Sequence, residues 1–470
     1  MTAPAPLSES ALRALTDAAG PGNLRTAPGD CWPYGGDNSR LHAPPQAVIF
    51  ANDTAQVQAV VETCRDRWIP LIARGLGSGT TGATVPDRGG VVLTFERMDR
   101  ILELDPDNRL MVVQPGVTNQ AVQDAAATHG FFWPPDPTSA AYCTVGGNLA
   151  YNSAGPGAVK YGTPRENTLG LTAVTGNARV LRTGVRTTKG VVGYDLTRLL
   201  IGSEGTLGVI TEAVLRLTPL AEGKRTLQGI YDSMEAAARA VSRIMAQPVV
   251  PCALEFMDGP SIAMIRSHST IPLPEGAGGL LMIEVDGPVA GLTEATDRVA
   301  EAARGEGCLS VTQAGSGEEV KALWATRKAL SPALRQVAPK KINEDVAVPV
   351  SRMPDLIREV EALSREYGIP IVCFGHAGNG NIHVNLLVDP DDPRQMTAAT
   401  PCLDRLFERV LSLEGTLSGE HGVGIAKRDY VERELTPEAL DLMRGIKACF
   451  DPADILNPGK GMPPKDRPGG

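Results

Sequence analysis

The sequence predicts an α+β protein of more than one domain, and three observations lead there. The chain has 470 residues, more than a single hydrophobic core ordinarily organises. A strand at 70–74 feeds a glycine-rich loop that no helix can follow, an anion-cradling arrangement that lies outside the doubly wound α/β folds. Between 226 and 314, apolar runs and amphipathic stretches alternate in β-α-β-β-α-β order, the ferredoxin-like unit.

The elements follow in chain order. Ser8 caps a short helix that stops at Gly20 and Pro21, and 21–43 is a Gly-, Pro- and polar-rich arm. An amphipathic helix begins at Thr54, with Val57, Val60, Val61 and Cys64 on one face at i, i+3, i+4, i+7. The loop after the 70–74 strand reads RGLGSGTTG at 74–82, and Gly77, Gly79 and Gly82 fit GxGxxG. A dinucleotide fingerprint needs a helix to open there, but Pro86, Gly89 and Gly90 forbid one and a strand follows at 90–95. A nicotinamide site is therefore rejected, and the loop is read as a nest of bare backbone N–H groups for a pyrophosphate. From 101 to 220, short strands alternate with a helix at 118–129 and with glycine-rich turns, among them TVGGN (144–148) and NSAG (152–155), followed later by KGVVGYDL (189–196) and GSEGTLGVIT (202–211). So many small residues suggest backbone lining a long, flat ligand.

The ferredoxin-like run places strands at 227–231, 253–257, 280–285 and 309–314, with helices at 233–247 and 293–304. A helix at 318–330, a strand at 345–350 and a helix at 354–367 lead to FGHAGNGNIHVN at 374–385, read as two strands joined by a glycine turn. Alternation puts His383 and Asn385 on one face and Ile382, Val384 and Leu386 on the other, while His376 sits at the mouth of the turn. Further on, SGEHG at 418–422 sets Glu420 beside His421. His376, His383 and Glu420 make an N,N,O metal set with open positions, and His421 is a spare base next to it. The simpler reading is structural histidines in an ordinary Gly-Asn-Gly turn. Of the six histidines in the chain, three fall in these two segments, which favours the metal. Zinc suits such ligands, and manganese, cobalt or iron would also be accepted.

Composition narrows the function. A net charge of -9 without a Lys/Arg-rich run argues against nucleic acid. No window approaches the ~20 apolar residues of a membrane span, and the N-terminus has no secretory pattern, so a cytoplasmic protein is expected. The eight cysteines form no CxxC, so no zinc knuckle or iron–sulfur cluster is encoded locally, and free thiols are expected.

The segments RGLGSGTTG, TVGGNLAYNSAG, KGVVGYDL and GSEGTLGVIT, in that order from about 44 to 219, resemble the FAD-binding domain of the vanillyl-alcohol-oxidase type flavoproteins. Joined with FGHAGNGNIHVN, GEHG and FDPADILNPGK, the resemblance covers nearly the whole chain and narrows to the flavin-linked D-2-hydroxy-acid dehydrogenases. These include D-lactate dehydrogenase (cytochrome), D-2-hydroxyglutarate dehydrogenase and the glycolate oxidase flavoprotein subunit.

The resemblance implies a two-subdomain FAD-binding domain at 44–220 after an arm at 1–43. A substrate and metal-binding domain at 221–430 and a C-terminal segment at 431–470 that returns to the FAD domain would follow. It implies that Arg74, Gly75, Gly77, Ser78, Gly79 and Thr80 meet the pyrophosphate. Pro137, Thr138, Thr144 and Gly147 would line the cofactor, Glu204, Gly205 and Ile210 would reach its adenosine or flavin side, and Asn457 would come back from the tail. No histidine stands in the first loop, where some relatives attach the flavin, so FAD is expected to be noncovalent. Arg327 matches the family's carboxylate clamp, Asn385 would bond substrate oxygen, and Lys340 or Lys341, Lys341 preferred, would take a second carboxylate. Asn379 stands where the family usually has Asp.

The expected activity is FAD-dependent, metal-assisted oxidation of a D-2-hydroxy acid (D-lactate, D-2-hydroxyglutarate or glycolate type) to the 2-oxo acid, with His421 as base. No haem or cluster motif is present, so electrons would leave to a quinone, a cytochrome, an electron-transfer flavoprotein or an iron–sulfur partner subunit. Such an acceptor would allow a peripheral place at the membrane, and a homo-oligomer is compatible with the sequence. One alternative is a noncatalytic or partner-dependent subunit of a glycolate-oxidase-like complex. Another is a metal-dependent hydrolase, disfavoured because it has no use for a distributed FAD scaffold.

Overall fold

The structure, a computed structural model, describes residues 5–266, 275–337 and 340–464. The chain forms two compact units. The first holds the residues up to Ala154, Gly162–Leu220 and the chain from Glu420 onward; the second holds Gly155–Tyr161 and Ala221–Gly419.

The first unit contains two main sheets with separate cores, and a two-stranded pairing of Phe131–Phe132 with Thr218–Pro219. Ala47–Phe50, Val91–Thr94 and Leu71–Arg74 pair in parallel, with Leu24–Arg25 antiparallel at one edge. Helix Thr54–Asp66, capped by the Asp53 carboxylate, buries Val57, Val60, Val61 and Cys64 against this sheet, the face that the periodicity indicates. The second sheet is antiparallel, in the order Ile101–Asp105, Leu110–Val113, Val209–Arg216, Thr168–Val174, Val180–Gly184. Its core is built around Trp133, Val113 and Leu215. The stretch at 144–148, read from sequence as a turn, opens helix Val145–Tyr151 with Thr144 as its cap. The glycines there serve packing: a Cβ on Gly146 would stand 2.7 Å from Pro115 Cβ.

The second unit is one antiparallel sheet with helices on both faces. Its elements are β1 (Gly223–Tyr231), α1 (Met234–Ala246), β2 (Ala253–Asp258), α2 (Gly259–Ile265), β3 (Gly279–Gly287), α3 (Val289–Ala303) and β4 (Cys308–Gln313). They continue with α4 (Gly317–Val337), β5 (Lys340–Ala347), α5 (Met353–Tyr367), β6 (Ile371–His376), β7 (Asn381–Val388) and α6 (Pro393–Ser412). The strand order β4-β1-β3-β2-β6-β7-β5 extends the expected ferredoxin-like 4-1-3-2 sheet by three strands. One face is apolar at one end, where α2 and α4 bury Ile230, Met257, Leu280 and Phe374 with Leu323, Leu330 and Leu334. Segment Gly155–Tyr161 joins this unit because Tyr161 donates to Asp286 at 2.6 Å and Lys160 pairs with the same carboxylate.

Some boundaries differ from the sequence reading. The strand expected at 345–350 is Lys340–Ala347, because its ladder with β7 runs from Lys340↔Val388 to Ala347↔Asn381. The chain rejoins the first unit at Glu420, ahead of the 431 boundary. The buried Glu204 carboxylate, accepting the N–H groups of Val423 and Gly424, ties it there. No helix of the described residues is long and apolar enough to cross a membrane, and none of the eight cysteines is paired.

Candidate functional site

In the first unit, the end of strand Leu71–Arg74, helix Val145–Tyr151 and the turn 203–210 enclose a cleft of about 590 Å³, open solvent at its mouth included. Arg74, Gly75, Thr144, Gly147, Glu204, Gly205 and Ile210 line it. From Gly75 to Thr81, no backbone N–H donates to another described residue. A run of unspent donors beside a cleft of small residues suits a pyrophosphate, and the structure thus fits the cofactor that the motifs imply.

Several expected cofactor residues have other occupations. Arg74 turns inward: Nη1 donates to the Gly36 carbonyl at 2.6 Å and to Thr84 Oγ1 at 3.3 Å, and the loop closes over it at Gly77. Its side chain shapes the loop, and the loop N–H groups that could meet an anion are those of Gly75, Gly77, Ser78, Gly79 and Thr80. Thr144 Oγ1 accepts the Gly147 N–H as a helix cap. Pro137 and Thr138 do not line the cleft; they lie on a separate turn in which the Pro137 carbonyl accepts from Ala140. Asn457 is buried and donates Nδ2 to the carbonyls of Ala83 (2.9 Å) and Glu204 (2.7 Å), so it braces the wall from behind.

Glu204 also acts on protein. Its carboxylate accepts from Val423 N at 2.5 Å and Gly424 N at 2.9 Å. Burial pushes the Glu204 carboxyl above the usual range, against the lowering effect of those two N–H groups. Thr81 Oγ1 donates to the His421 carbonyl at 3.2 Å and Ser153 Oγ to that of Glu420 at 3.4 Å. The Glu420–His421 turn is therefore anchored by Thr81 and Ser153 and, just after it, by the cleft-lining Glu204. Tyr151, Phe95 and Ser203 line the cleft as well and were not singled out from the sequence, although Tyr151 lies inside the TVGGNLAYNSAG motif.

In the second unit, the hairpin β6–β7 brings its two histidines together. Gly380, at φ +69°, closes the turn where a Cβ would strike the Val348 carbonyl. The rings of His376 and His383 stand 5.4 Å apart, nearly perpendicular. Each imidazole faces a buried carboxylate on a neighbouring strand, in register: Glu255↔His376 from β2 and Asp345↔His383 from β5. Glu255 Oε1 is 2.6 Å from His376 Nδ1, and Asp345 Oδ1 is 3.6 Å from His383 Nδ1. Asp345 also accepts from Asn381 Nδ2 at 2.6 Å and, through its carbonyl, from Gly419 N at 3.2 Å. Burial alone would raise the Glu255 carboxyl, but His376 and Arg327 outweigh it and hold that group below its ordinary value. Glu255 has the placement of a carboxylate that fixes a metal-ligating histidine, whereas Asp345 stands beyond hydrogen-bond distance of His383 Nδ1. The sequence signal for Glu255 is an acidic residue inside the apolar strand ALEFMD.

Arg327 reaches the same place from α4, one turn after Leu323 on the buried side. Its Nε donates to Glu255 Oε2 at 2.8 Å and its guanidinium stands 4.8 Å from the Phe374 ring centroid. Asn385 shares the sheet face with His383 but spends Nδ2 on the carbonyls of Val372 and His383, which leaves Oδ1, an acceptor, without a partner. Lys341 pairs with Leu387 on β7, the same face as Asn343 and Asp345 by alternation. The Lys340 side chain lies outside the described residues.

Comparisons with known proteins show the family. A family model described as FAD linked oxidases, C-terminal domain matches residues 221–461, and one described as FAD binding domain matches 45–184. Glycolate oxidase subunit GlcD of Bacillus subtilis (strain 168) is 38% identical over 447 residues, 95% of this chain and 95% of that protein. The chain belongs to the FAD-linked oxidases. D-lactate dehydrogenase of Archaeoglobus fulgidus is 37% identical over 420 residues, covering 88% of this oxidase and 90% of its own length. Among solved structures, p-cresol methylhydroxylase with substrate bound superposes with a TM-score of 0.79 at 18% identity, over 97% of this chain and 96% of that one. At that identity the match speaks for the fold, which is of the vanillyl-alcohol-oxidase type. The resemblance to flavin-linked D-2-hydroxy-acid dehydrogenases, read from the motifs, is borne out. This oxidase is thus an FAD-linked enzyme of the dehydrogenase/oxidase type.

Proposed function

We propose that this FAD-linked oxidase converts a D-2-hydroxy acid, of the D-lactate, D-2-hydroxyglutarate or glycolate type, to its 2-oxo acid with the help of a divalent metal. The observation that carries the reading is the cluster in the second unit: two histidines, His376 backed by the Glu255 carboxylate, beside a buried arginine, Arg327, 7% exposed, whose Nη1 and Nη2 make no hydrogen bond to the described residues. An apolar or neutral alcohol would have no use for that guanidinium; a carboxylate fits its planar fork. The names of the relatives, glycolate oxidase and D-lactate dehydrogenase, support the same substrate class.

His376, His383 and Glu420, the residue after Gly419 in the chain, would hold the ion, zinc, manganese, cobalt or iron, with positions open for the substrate. Such an ion would supply Lewis acidity toward the hydroxyl oxygen. Arg327 grips the carboxylate, and His421 accepts the hydroxyl proton on its imidazole. Asn385 Oδ1 offers an acceptor on the same sheet face, and Lys341 meets a second carboxylate where the substrate has one. Noncovalent FAD in the first unit would supply the two-electron sink for the hydride equivalent lost from the hydroxyl-bearing carbon. The electrons leave to an external acceptor: a quinone, a cytochrome, an electron-transfer flavoprotein or an iron–sulfur partner. The word subunit in the GlcD name favours a partner, and we place the oxidase in the cytoplasm, with its acceptor deciding any contact with the membrane.

The test is the anaerobic visible spectrum of the purified oxidase before and after D-lactate, D-2-hydroxyglutarate, glycolate and the L-acids are added singly. Bleaching by a D-acid or glycolate is the expected result and names the substrate. Bound flavin that no acid bleaches would give the noncatalytic-subunit reading the advantage.

A further inference from the structure

We infer that Glu255 is a positioning residue whose single carboxylate sets both halves of the substrate site: one oxygen aims the metal ligand His376 and the other aims the carboxylate clamp Arg327. The inference rests on the metal and clamp roles proposed above. Glu255 sits in β2, 1% exposed, directly across the ladder from His376 in β6. Its Oε1 is 2.6 Å from His376 Nδ1 and its Oε2 2.8 Å from Arg327 Nε. With Nδ1–H donated, Nε2 becomes the lone-pair nitrogen of His376, so the carboxylate selects the tautomer that ligates. On the other side, a bond to Nε together with the Phe374 ring 4.8 Å away fixes the plane of the guanidinium and directs its Nη1/Nη2 edge outward. A 2-hydroxy acid carries its hydroxyl and carboxylate on adjacent carbons. A rigid bridge between ligand and clamp would match that fixed spacing.

Glu284 provides the internal comparison. It lies on the same face of the sheet, 4% exposed, and is equally committed, to Lys224 Nζ (2.8 Å), Thr226 Oγ1 (3.2 Å) and Trp324 Nε1 (2.7 Å). It touches neither the histidines nor Arg327. A carboxylate needed only for folding would behave as Glu284 does.

The experiment uses the full-length, FAD-loaded oxidase with Glu255→Gln, Glu255→Asp and Glu284→Gln. Gln keeps the shape but can accept from only one neighbour and turns an N–H toward the other; Asp keeps the charge but is too short to reach both. Cobalt(II) affinity is read without substrate by visible titration, and KM and kcat are then measured with the acid that bleaches wild-type flavin. In both Glu255 variants, cobalt affinity should fall by roughly 10- to 100-fold and KM should rise at least about tenfold, with flavin content kept. Glu284→Gln should change neither. Two results overturn the inference: a flavin-loaded Glu255 variant within twofold of wild type in both cobalt affinity and KM, or Glu284→Gln matching the losses. Wild-type oxidase that binds no cobalt would refute the metal reading beneath it, and the His376 half of the inference with it; an unchanged KM in the variants would then refute the Arg327 half.

Discussion

Gly77 tests whether the cofactor loop is built around Arg74. The glycine sits at φ +69°, and a Cβ there would stand 2.2 Å from Arg74 Nη2 and 2.5 Å from Cζ. The guanidinium cannot simply swing away, since it is buried and donates to Gly36 and Thr84. Gly77→Ala therefore adds two costs. A left-handed conformation at a non-glycine residue is unfavourable by roughly 1–2 kcal/mol, and losing a charge-assisted bond such as Arg74 to the Gly36 carbonyl adds about 1.5–3 kcal/mol. Gly130 is the control, at φ +77° with nothing within 4 Å of its Cβ; Gly130→Ala should cost only the first amount. Urea midpoints of the apoproteins read these costs. FAD titration reads the loop, since every ~1.4 kcal/mol of distortion carried into the holo state weakens binding about tenfold. Equal destabilisation by the two substitutions, or wild-type FAD affinity in Gly77→Ala, would refute the reasoning.

Glu204→Gln gives up a charged acceptor for the Val423 and Gly424 N–H groups, worth about 1.5–3 kcal/mol. The Glu420–His421 turn should loosen and kcat should fall at least about tenfold; a variant with wild-type kcat would show that the anchor does not matter. Dialysis against a chelator should abolish turnover while the flavin absorbance stays, and zinc or manganese should restore it. Turnover that survives metal-free preparation would remove the ion from the reaction. Asp258, which accepts from Ser261 N and Cys373 N, has its carboxyl raised by burial to about 6. A raised carboxyl means that the folded state keeps a proton the unfolded chain releases, so stability falls as pH rises between about 4 and 6, by about 3 kcal/mol for this group. The wild-type advantage over Asp258→Asn should accordingly shrink from pH 4.5 to pH 7; a constant or growing advantage in unfolding free energy would contradict the burial argument.

Where local patterning governs, residues alone located the structure. Ser8 caps its helix as expected, the helices expected to begin at 54 and 118 open at Thr54 and Asn119, and the valines of the 54–66 helix face the core because an α-helix repeats every 3.6 residues. The hairpin at 371–388 formed where glycine separated two apolar runs. The glycine loop carries no following helix, as Pro86 and the 89–90 pair required. Elsewhere the same local rules misled: TVGGN looked like a turn, yet Thr144 can cap a helix there and Gly146 is needed for the approach to Pro115.

By itself, then, the sequence determined the Ser8 cap, the buried helix face and the hairpin that carries His376 and His383, all of which depend on neighbours a few positions away. Tertiary structure alone decided the partners. Glu255 meets His376 from 121 positions away, and a strand register that brings them opposite depends on how the whole sheet packs, since a slip of one residue would turn every side chain to the other face. Arg74 points into the protein because carbonyls from the N-terminal arm wait there, and Glu204 holds a turn 219 positions downstream. No period or motif encodes such encounters, because they arise only when the burial of distant apolar faces brings those segments together.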